Sequence, residues 1–210
     1  MSHATCLADK NIPASLRLVE ATAADLDRIM ELERQGFATG HHEPRAVYAQ
    51  RIDAFPQGSL MAWRGAECVG CVFSEIWRAI PQPDATHFTL GHDIRERHDP
   101  VAGTELYISS MTLSPTVRGQ GLGAALLLGC LEHVAKAFPQ LQSALLLVNA
   151  VWTPARRIYT GVGFVEIASL VGFFETDGSQ QDGLVMRRPI RAWQPLAAAC
   201  PSGRPASFQK

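Results

Sequence analysis

Leu16 to Glu20 alternates apolar and polar side chains with the period of two that a half-buried strand requires. Thr22 then predicts a helix start, with Asp25 three residues on in a capping-box position and an apolar face of Leu26, Ile29, Met30 and Leu32 beside Glu33. Gly36 to His42 breaks that helix, and a second is expected from Pro44 to about Phe55. Ser59–Trp63 and Cys68–Trp77 flank Arg64-Gly65-Ala66-Glu67 and read as a hairpin. Residues 78–103, polar and carrying Pro81, Pro83 and Pro100, read as a long loop or short helical excursion. A strand follows at Thr104–Leu113, and a helix from Ala124 through Leu131, Val134 and Phe138. Another strand is expected at Ser143–Val148. Thr153 before Pro154 opens a helix that runs to about Thr160 and ends at Gly161. Strands are expected within 164–175 and at 183–189, with a turn over 177–183. From Trp193 the prolines 195, 201 and 205 suggest a loose tail.

This order is mixed α/β, with strands outnumbering helices, and suits one twisted sheet packed on both faces. It divides the chain into a flexible segment 1–14, a folded domain 15–191 and a proline-rich tail 192–210.

Composition narrows the setting. The 210 residues are 47% hydrophobic and 19% charged, as in a soluble globular chain with room for one core. A formal net charge of −1 supplies no bulk positive field to gather nucleic acid. Five cysteines are scattered and odd in number. Cys68 and Cys71 form a CxxC, but an odd separation along a strand is expected to put the two thiols on opposite faces. They read as packing thiols of a reducing compartment. The start of the chain does not read as a signal peptide, and no apolar run approaches the roughly 20 residues of a membrane helix. A cytoplasmic protein without membrane partners is the expectation.

The stretch Arg118-Gly119-Gln120-Gly121-Leu122-Gly123-Ala124 carries the most chemistry. It lies between a strand and a helix, so it reads as an anion cradle: glycines let successive backbone N–H groups face one point, and the helix N-terminus adds partial positive charge. A Walker A loop would place Lys-Ser/Thr where Ala124 and Ala125 stand. A dinucleotide fingerprint would place a carboxylate after the next strand, where Asn149-Ala150 stands.

The run Val117–Gly123 resembles the acetyl-CoA pyrophosphate loop of the GNAT N-acetyltransferase superfamily, and Tyr159 with Gly163-Phe164 resembles that family's second mark. The two stand in the family's order and separation, and the resemblance extends loosely from Leu16 to Pro189. It implies a single GNAT-type domain, with a mostly antiparallel sheet of about seven strands that splays between the fourth and fifth. It also implies acetyl-CoA as co-substrate, its pyrophosphate on the amides of Arg118, Gly119, Gln120, Gly121, Leu122, Gly123 and Ala124. Its pantetheine would lie on the backbones of Met111 and Leu113.

Acyl transfer to an amine needs a way to deprotonate the amine and an acid for the departing thiolate. Tyr159 stands where the family's catalytic tyrosine stands and is the candidate acid. Glu105 opens the central strand at the spacing of the base in histone-type members. Strand parity is expected to set Glu105, Tyr107, Ser109, Met111 and Leu113 on one face. Leu16–Val19, Glu31–Phe37 and the long loop before Thr104 resemble the arylalkylamine (serotonin-type) branch. That branch carries two histidines where Tyr107 and Ser109 stand here, so its histidine relay is out of reach, and Glu105 or ordered water must take the proton.

Tyr107, Ser109, Phe37 and His41 are the candidate substrate contacts; Trp77 and Phe173 are further candidates for an aromatic wall. His92 and His98, with Asp93, Glu96 and Asp99, have no recognised metal-ligand spacing and read as a solvated charged loop. The expected activity is acetyl transfer to a small primary amine by a monomer or homodimer, and the resemblance to that branch implies an arylalkylamine. A protein or peptide N-acetyltransferase is the alternative within catalysis, and a non-catalytic acyl-CoA-binding module the alternative outside it.

Overall fold

The computed structural model describes residues 16–37, 42–176 and 178–190. The expected N-terminal segment, the tail beyond residue 190 and the candidate His41 lie outside the described residues. Strands β1 (Leu16–Glu20), β2 (Ser59–Arg64), β3 (Glu67–Trp77), β4 (Glu105–Leu113), β5 (Ser143–Asn149), β6 (Val165–Thr176) and β7 (Ser179–Pro189) form one sheet in the order β1-β2-β3-β4-β5-β7-β6. The β4–β5 pair is parallel and every other neighbouring pair is antiparallel. Helices α1 (Leu26–Gly36) and α2 (Arg45–Ala54) are tied by apolar contacts to one face of the sheet, and α3 (Leu122–Ala137) to the other; α4 (Thr153–Gly161) follows β5.

The apolar stripes decide which face each helix covers. Leu26, Ile29 and Leu32 of α1 pack with Tyr48, Met61, Cys71 and Phe73. Leu126, Leu127, Cys130 and Val134 of α3 join Val72, Ile76, Leu106 and Ile108 from the opposite side of the same strands. The Thr22 cap holds as a reciprocal contact, the Thr22 N–H donating to Asp25 Oδ2 at 2.8 Å, although a short 3₁₀ turn (Ala23–Asp25) precedes α1.

Two β-bulges overturn the expected parities. In β3, Gly70 pairs with Ala62 and Cys68 with Trp63, so Val69 is the extra residue. One inserted residue reverses which face the following side chains meet. Cys68 and Cys71 therefore share the α1/α2 face, as free thiols. In β4, Phe73 pairs with Ser110 and Ser74 with Ile108, leaving Ser109 as the extra residue. Tyr107 packs on the ring of Trp77, and Ser110 reaches Tyr48 of α2, whereas Met111 and Leu113 pack into the α3 core. The five alternate residues from Glu105 to Leu113 are thus divided between two faces.

The last hairpin is longer than the sequence pattern suggested. Thr176 pairs with Ser179 beside Gly178 (φ 75°), so β7 begins at Ser179 and its polar first half is an edge-to-edge continuation of the strand.

Candidate active site

The bulge at Ser109 lies where β4 leaves β5. Their pairing runs from Glu105↔Ser143 to Ile108↔Leu146 and stops there. Beyond it β5 stays on β7 to Asn149 and β4 stays on β3 to Leu113. The edges of Ser109–Leu113 and Leu147–Asn149 that face each other are unpaired, and a cleft opens in mid-sheet. Backbone N–H and C=O groups along such an edge can receive an extended ligand as a strand would.

The glycine loop closes one end of this cleft. A 3₁₀ turn (Pro115–Val117) buries Val117, and the chain then passes through Gly119 (φ 75°) and Gly121 (φ 77°) into α3. Both dihedrals are left-handed, a region that costs other residues about 1–2 kcal/mol. A Cβ at either glycine would meet nothing within 4 Å, so the space over the loop is open. Gly121 is the N-cap and supplies no side chain to the first turn of α3. The loop's longer side chains are tied outward: Arg118 Nη2 donates to the Gln35 carbonyl at 3.1 Å, and Arg64 Nη1 to Gln120 Oε1 at 2.7 Å. The residues present therefore fit a diphosphate held by main-chain amides. Gly123 serves differently, its α-carbon lying so close to Ile158 of α4 that a Cβ would come within 2.7 Å of Ile158 Cδ1.

That contact ties the loop to the helix carrying Tyr159. The phenol packs against the α3 core, and its hydroxyl makes no hydrogen bond among the described residues. Burial pushes its pKa up to about 12, so it is a protonated donor across the neutral range.

Glu105 is placed differently from Tyr159. It is fully buried at the far end of β4, where Oε1 accepts from Arg187 Nε (2.7 Å) and Ser143 Oγ (2.8 Å). Its Oε2 accepts from Arg187 Nη2 at 3.2 Å and from the Ile80 N–H at 3.4 Å. Both oxygens are engaged.

On the α1/α2 side of the cleft is a cavity of about 10 Å³, lined by Tyr107 and Ser109 of β4, Leu147 of β5, Phe173 of β6, Phe88 and His92 of the long loop, and Arg51 and Glu43. Tyr107, Ser109 and Phe173 thus lie along one cavity. Phe37 is not in this lining; its ring lies 5.6 Å from Trp152. Trp77 is buried behind Tyr107 at 3.9 Å between ring centroids.

The long loop is the largest departure from the sequence reading. It does not stand off in solvent. Phe88 and Ile94 are buried, and both histidines turn inward. His98 Nδ1 accepts from the Ile76 N–H at 3.0 Å, with burial lowering its pKa. His92 Nε2 lies 2.9 Å from Glu75 Oε2, which also accepts from Trp77 Nε1 at 2.9 Å. Glu75 faces Arg51, which forms a buried two-point ion pair with Glu43. This alternating chain of Glu43, Arg51, Glu75 and His92 went unread in the sequence. A signal for it exists: Arg51 interrupts the apolar stripe of Val47 and Tyr48, and Glu75 interrupts the apolar run of β3. Ionised groups at core positions are seldom buried without partners.

A sheet that splays at a bulge beside a glycine cradle limits the families to consider. The family model for the acetyltransferase (GNAT) family matches residues 26–164. The chain belongs to the acetyltransferase (GNAT) family. Among curated GNAT relatives, the mycothiol acetyltransferase of Acidothermus cellulolyticus is 31% identical over 109 residues, and that of Catenulispora acidiphila 33%. Each alignment takes in 52% of this chain but only 30% and 28% of those proteins, so the chain spans under a third of their length. Among solved GNAT folds, the loading GNATL domain of CurA from Lyngbya majuscula superposes with a TM-score of 0.69 at 17% identity, covering 83% of this chain and 97% of that one. The GphF GNAT-like decarboxylase in complex with isobutyryl-CoA gives 0.68 at 17%, covering 83% and 100%. The ribosomal-protein-S18-alanine N-acetyltransferase from Escherichia coli gives 0.63 at 15%, covering 87% and 97%. At these identities the likeness is one of fold. None of the relatives named here is an arylalkylamine enzyme, and the likeness to that branch rests on its sequence segments alone. No helix among the described residues is long and apolar enough to cross a membrane.

Proposed function

We propose that this chain transfers acetyl from acetyl-CoA to a small primary amine, directly and within a ternary complex. The observation that carries the reading is the pair of left-handed glycines, Gly119 and Gly121, over open space at an uncapped helix N-terminus beside the unpaired edge of β4. In this reading the amides of Arg118–Ala124 hold the pyrophosphate, and the main chain at Met111 and Leu113 pairs with the pantetheine arm. The names of relatives and neighbours support it: two are mycothiol acetyltransferases, one is a ribosomal-protein-S18-alanine N-acetyltransferase, and one was solved with isobutyryl-CoA.

Tyr159 is the acid that protonates the departing thiolate, a role permitted by a phenol that stays protonated at neutral pH and a hydroxyl that is otherwise unengaged. The engaged oxygens of Glu105 favour an ion-pair role at the base of β4, which leaves water at the cavity to take the amine proton. An alkylamine with a pKa near 10.4 is mostly protonated at neutral pH, so that step matters. The long loop covers this face of the cleft and leaves between Tyr107, Ser109, Phe88 and Phe173 a cavity with room for about one water, which suits the water relay and favours a small acceptor over a peptide needing an open groove.

The test is CoA release from acetyl-CoA across arylalkylamines, polyamines, amino sugars and short peptides, with Tyr159→Phe in parallel. Turnover on one class, sharply reduced by the substitution, supports the reading and names the acceptor. Turnover on peptides alone replaces the small amine with a protein N-terminus or lysine. Tight acetyl-CoA binding without turnover on any amine replaces the enzyme with an acyl-CoA-binding module.

A further inference from the structure

The segment Phe88–His92 forms one wall of the small cavity beside Tyr107 and Ser109 and is fixed at two adjacent residues. The Gly91 N–H donates to Glu43 Oε1 at 3.1 Å, and His92 Nε2 meets Glu75 Oε2 at 2.9 Å. His92 Nδ1 lies 2.8 Å from the Thr89 carbonyl, so both ring nitrogens face acceptors and the ring is held as a donor on both sides. Its partners come from separate elements, Glu43 from the α1–α2 connection and Glu75 from β3, both buried. Three further atoms are buried and unpartnered: Arg51 Nε, Glu75 Oε1 and Ser109 Oγ. Two of these belong to residues lining the cavity, and the third stands 3.7 Å from Arg51 Nε. A buried donor or acceptor without a partner carries a desolvation penalty, which a polar ligand or water in the cavity would relieve.

We propose that His92, clasped by Glu75, is the acceptor-positioning residue of this site: it holds the Phe88–His92 wall against Tyr107 and Ser109, so that the acceptor, and not acetyl-CoA, depends on it. This rests on the acetyltransferase reading for what the cavity receives. The clasp itself does not.

The clasp is an ion pair when His92 is protonated, and it titrates. Burial alone lowers the pKa of His92; the hydrogen bond and charge of Glu75, aided by the Thr89 carbonyl, outweigh burial and leave it raised. The other groups around it are Arg51 of α2, which opposes protonation, the Glu43 paired with Arg51, and the uncharged Tyr107 of β4; Arg97 lies beyond the Trp77 ring that His92 meets edge-on. A raised folded pKa means the charged clasp is complete below the ordinary histidine value near 6.5 and is lost as pH rises through the folded value.

The experiment has two arms, run on the unaltered protein, His92→Ala and His92→Gln, the last keeping a donor towards Glu75 without the charge. In the first arm, amide exchange of Gly91, corrected for its intrinsic rate, is followed from pH 6 to 9. Protection should fall with rising pH in the unaltered protein, be absent throughout in His92→Ala, and be intermediate and independent of pH in His92→Gln. In the second, the acceptor KM should rise about tenfold or more in His92→Ala, with the acetyl-CoA KM within twofold. Equal Gly91 protection in the unaltered protein and His92→Ala overturns the clasp. An unchanged acceptor KM, or an equal rise in both KM values, overturns the positioning role. If the unaltered protein turns over no amine, the acetyltransferase reading fails while the exchange arm still judges the clasp.

Discussion

Phe164 donates its N–H to the carbonyl of Tyr159 at 3.0 Å, and the two rings lie 6.2 Å apart. Gly163, at φ 94°, donates to Thr160 at 3.0 Å, completing a Schellman turn in which Tyr159 and Phe164 are the residues that pack across the helix end. The sequence mark of a tyrosine four residues before Gly-Phe is therefore a single mechanical unit. Glycine reverses the chain into β6, and phenylalanine buttresses the tyrosine.

Gly163→Ala is expected to cost about 1–2 kcal/mol, because alanine resists that dihedral. Thermal unfolding should show a lower Tm with Tyr159 chemistry retained in the surviving folded fraction. An unchanged Tm would mean that the turn relaxes without strain.

Tyr159→Phe removes only a hydroxyl that holds no structural hydrogen bond, so Tm and acetyl-CoA affinity should stay close to those of the unaltered protein. If the phenol protonates the thiolate, kcat should fall about 10²-fold or more. Because its pKa lies at about 12, the rate of the unaltered protein should show no alkaline loss from this group below about pH 11. Loss of acetyl-CoA binding in the variant would instead assign the hydroxyl to the cofactor.

Gly121→Ala places a side chain in a left-handed dihedral at the N-cap of α3, at a strain of about 1–2 kcal/mol. That strain should lower stability by a similar amount, while the new Cβ, standing in the open space over the loop where the diphosphate would lie, should raise the acetyl-CoA Kd roughly tenfold. Calorimetry on the folded variant decides this. An unaltered Kd would remove the loop from the binding site.

Glu105→Gln separates a base from an ion pair. Breaking a buried pair is expected to cost about 3–5 kcal/mol, less where, as here, Arg187 is partly exposed and a glutamine keeps some hydrogen bonds. Urea unfolding should show the loss, and the folded variant should keep a similar kcat. Full stability with a large fall in kcat would restore Glu105 as the base.

His98 and His92 titrate with opposite sign. Burial lowers the His98 pKa, and its Nδ1 must stay unprotonated to accept from Ile76. Its contribution to stability is present above the ordinary value near 6.5 and is lost as pH falls towards the lowered folded value. Urea midpoints between pH 7 and 5 should therefore fall less steeply in His98→Asn. An equal slope would place the acid sensitivity elsewhere.

Much of the fold was legible because its signals are local. The alternation at Leu16–Glu20, the Thr22 cap, the hairpin of β2 and β3, and Thr153-Pro154 at the head of α4 each act within a few residues. The cradle was legible for the same reason: glycines between a strand and a helix leave little conformational choice. Parity along β4 was not legible, since one extra residue at Ser109 reverses the faces of Met111 and Leu113 and depends on what β3 offers opposite. The long loop misled by composition. Its charges suggested solvent, whereas His92 finds Glu75 from 17 residues away.

The sequence by itself determined the strands, the helices, the left-handed glycine loop and the Tyr159 turn, because propensity, capping and backbone freedom are properties of neighbouring residues. Only the tertiary structure decided that Glu105 is held by Arg187, that β4 leaves β5 at Ser109, and that Glu43, Arg51, Glu75 and His92 form one buried chain. A charged group is buried only when its opposite is brought to it, and that meeting is set by the packing of elements far apart in the chain.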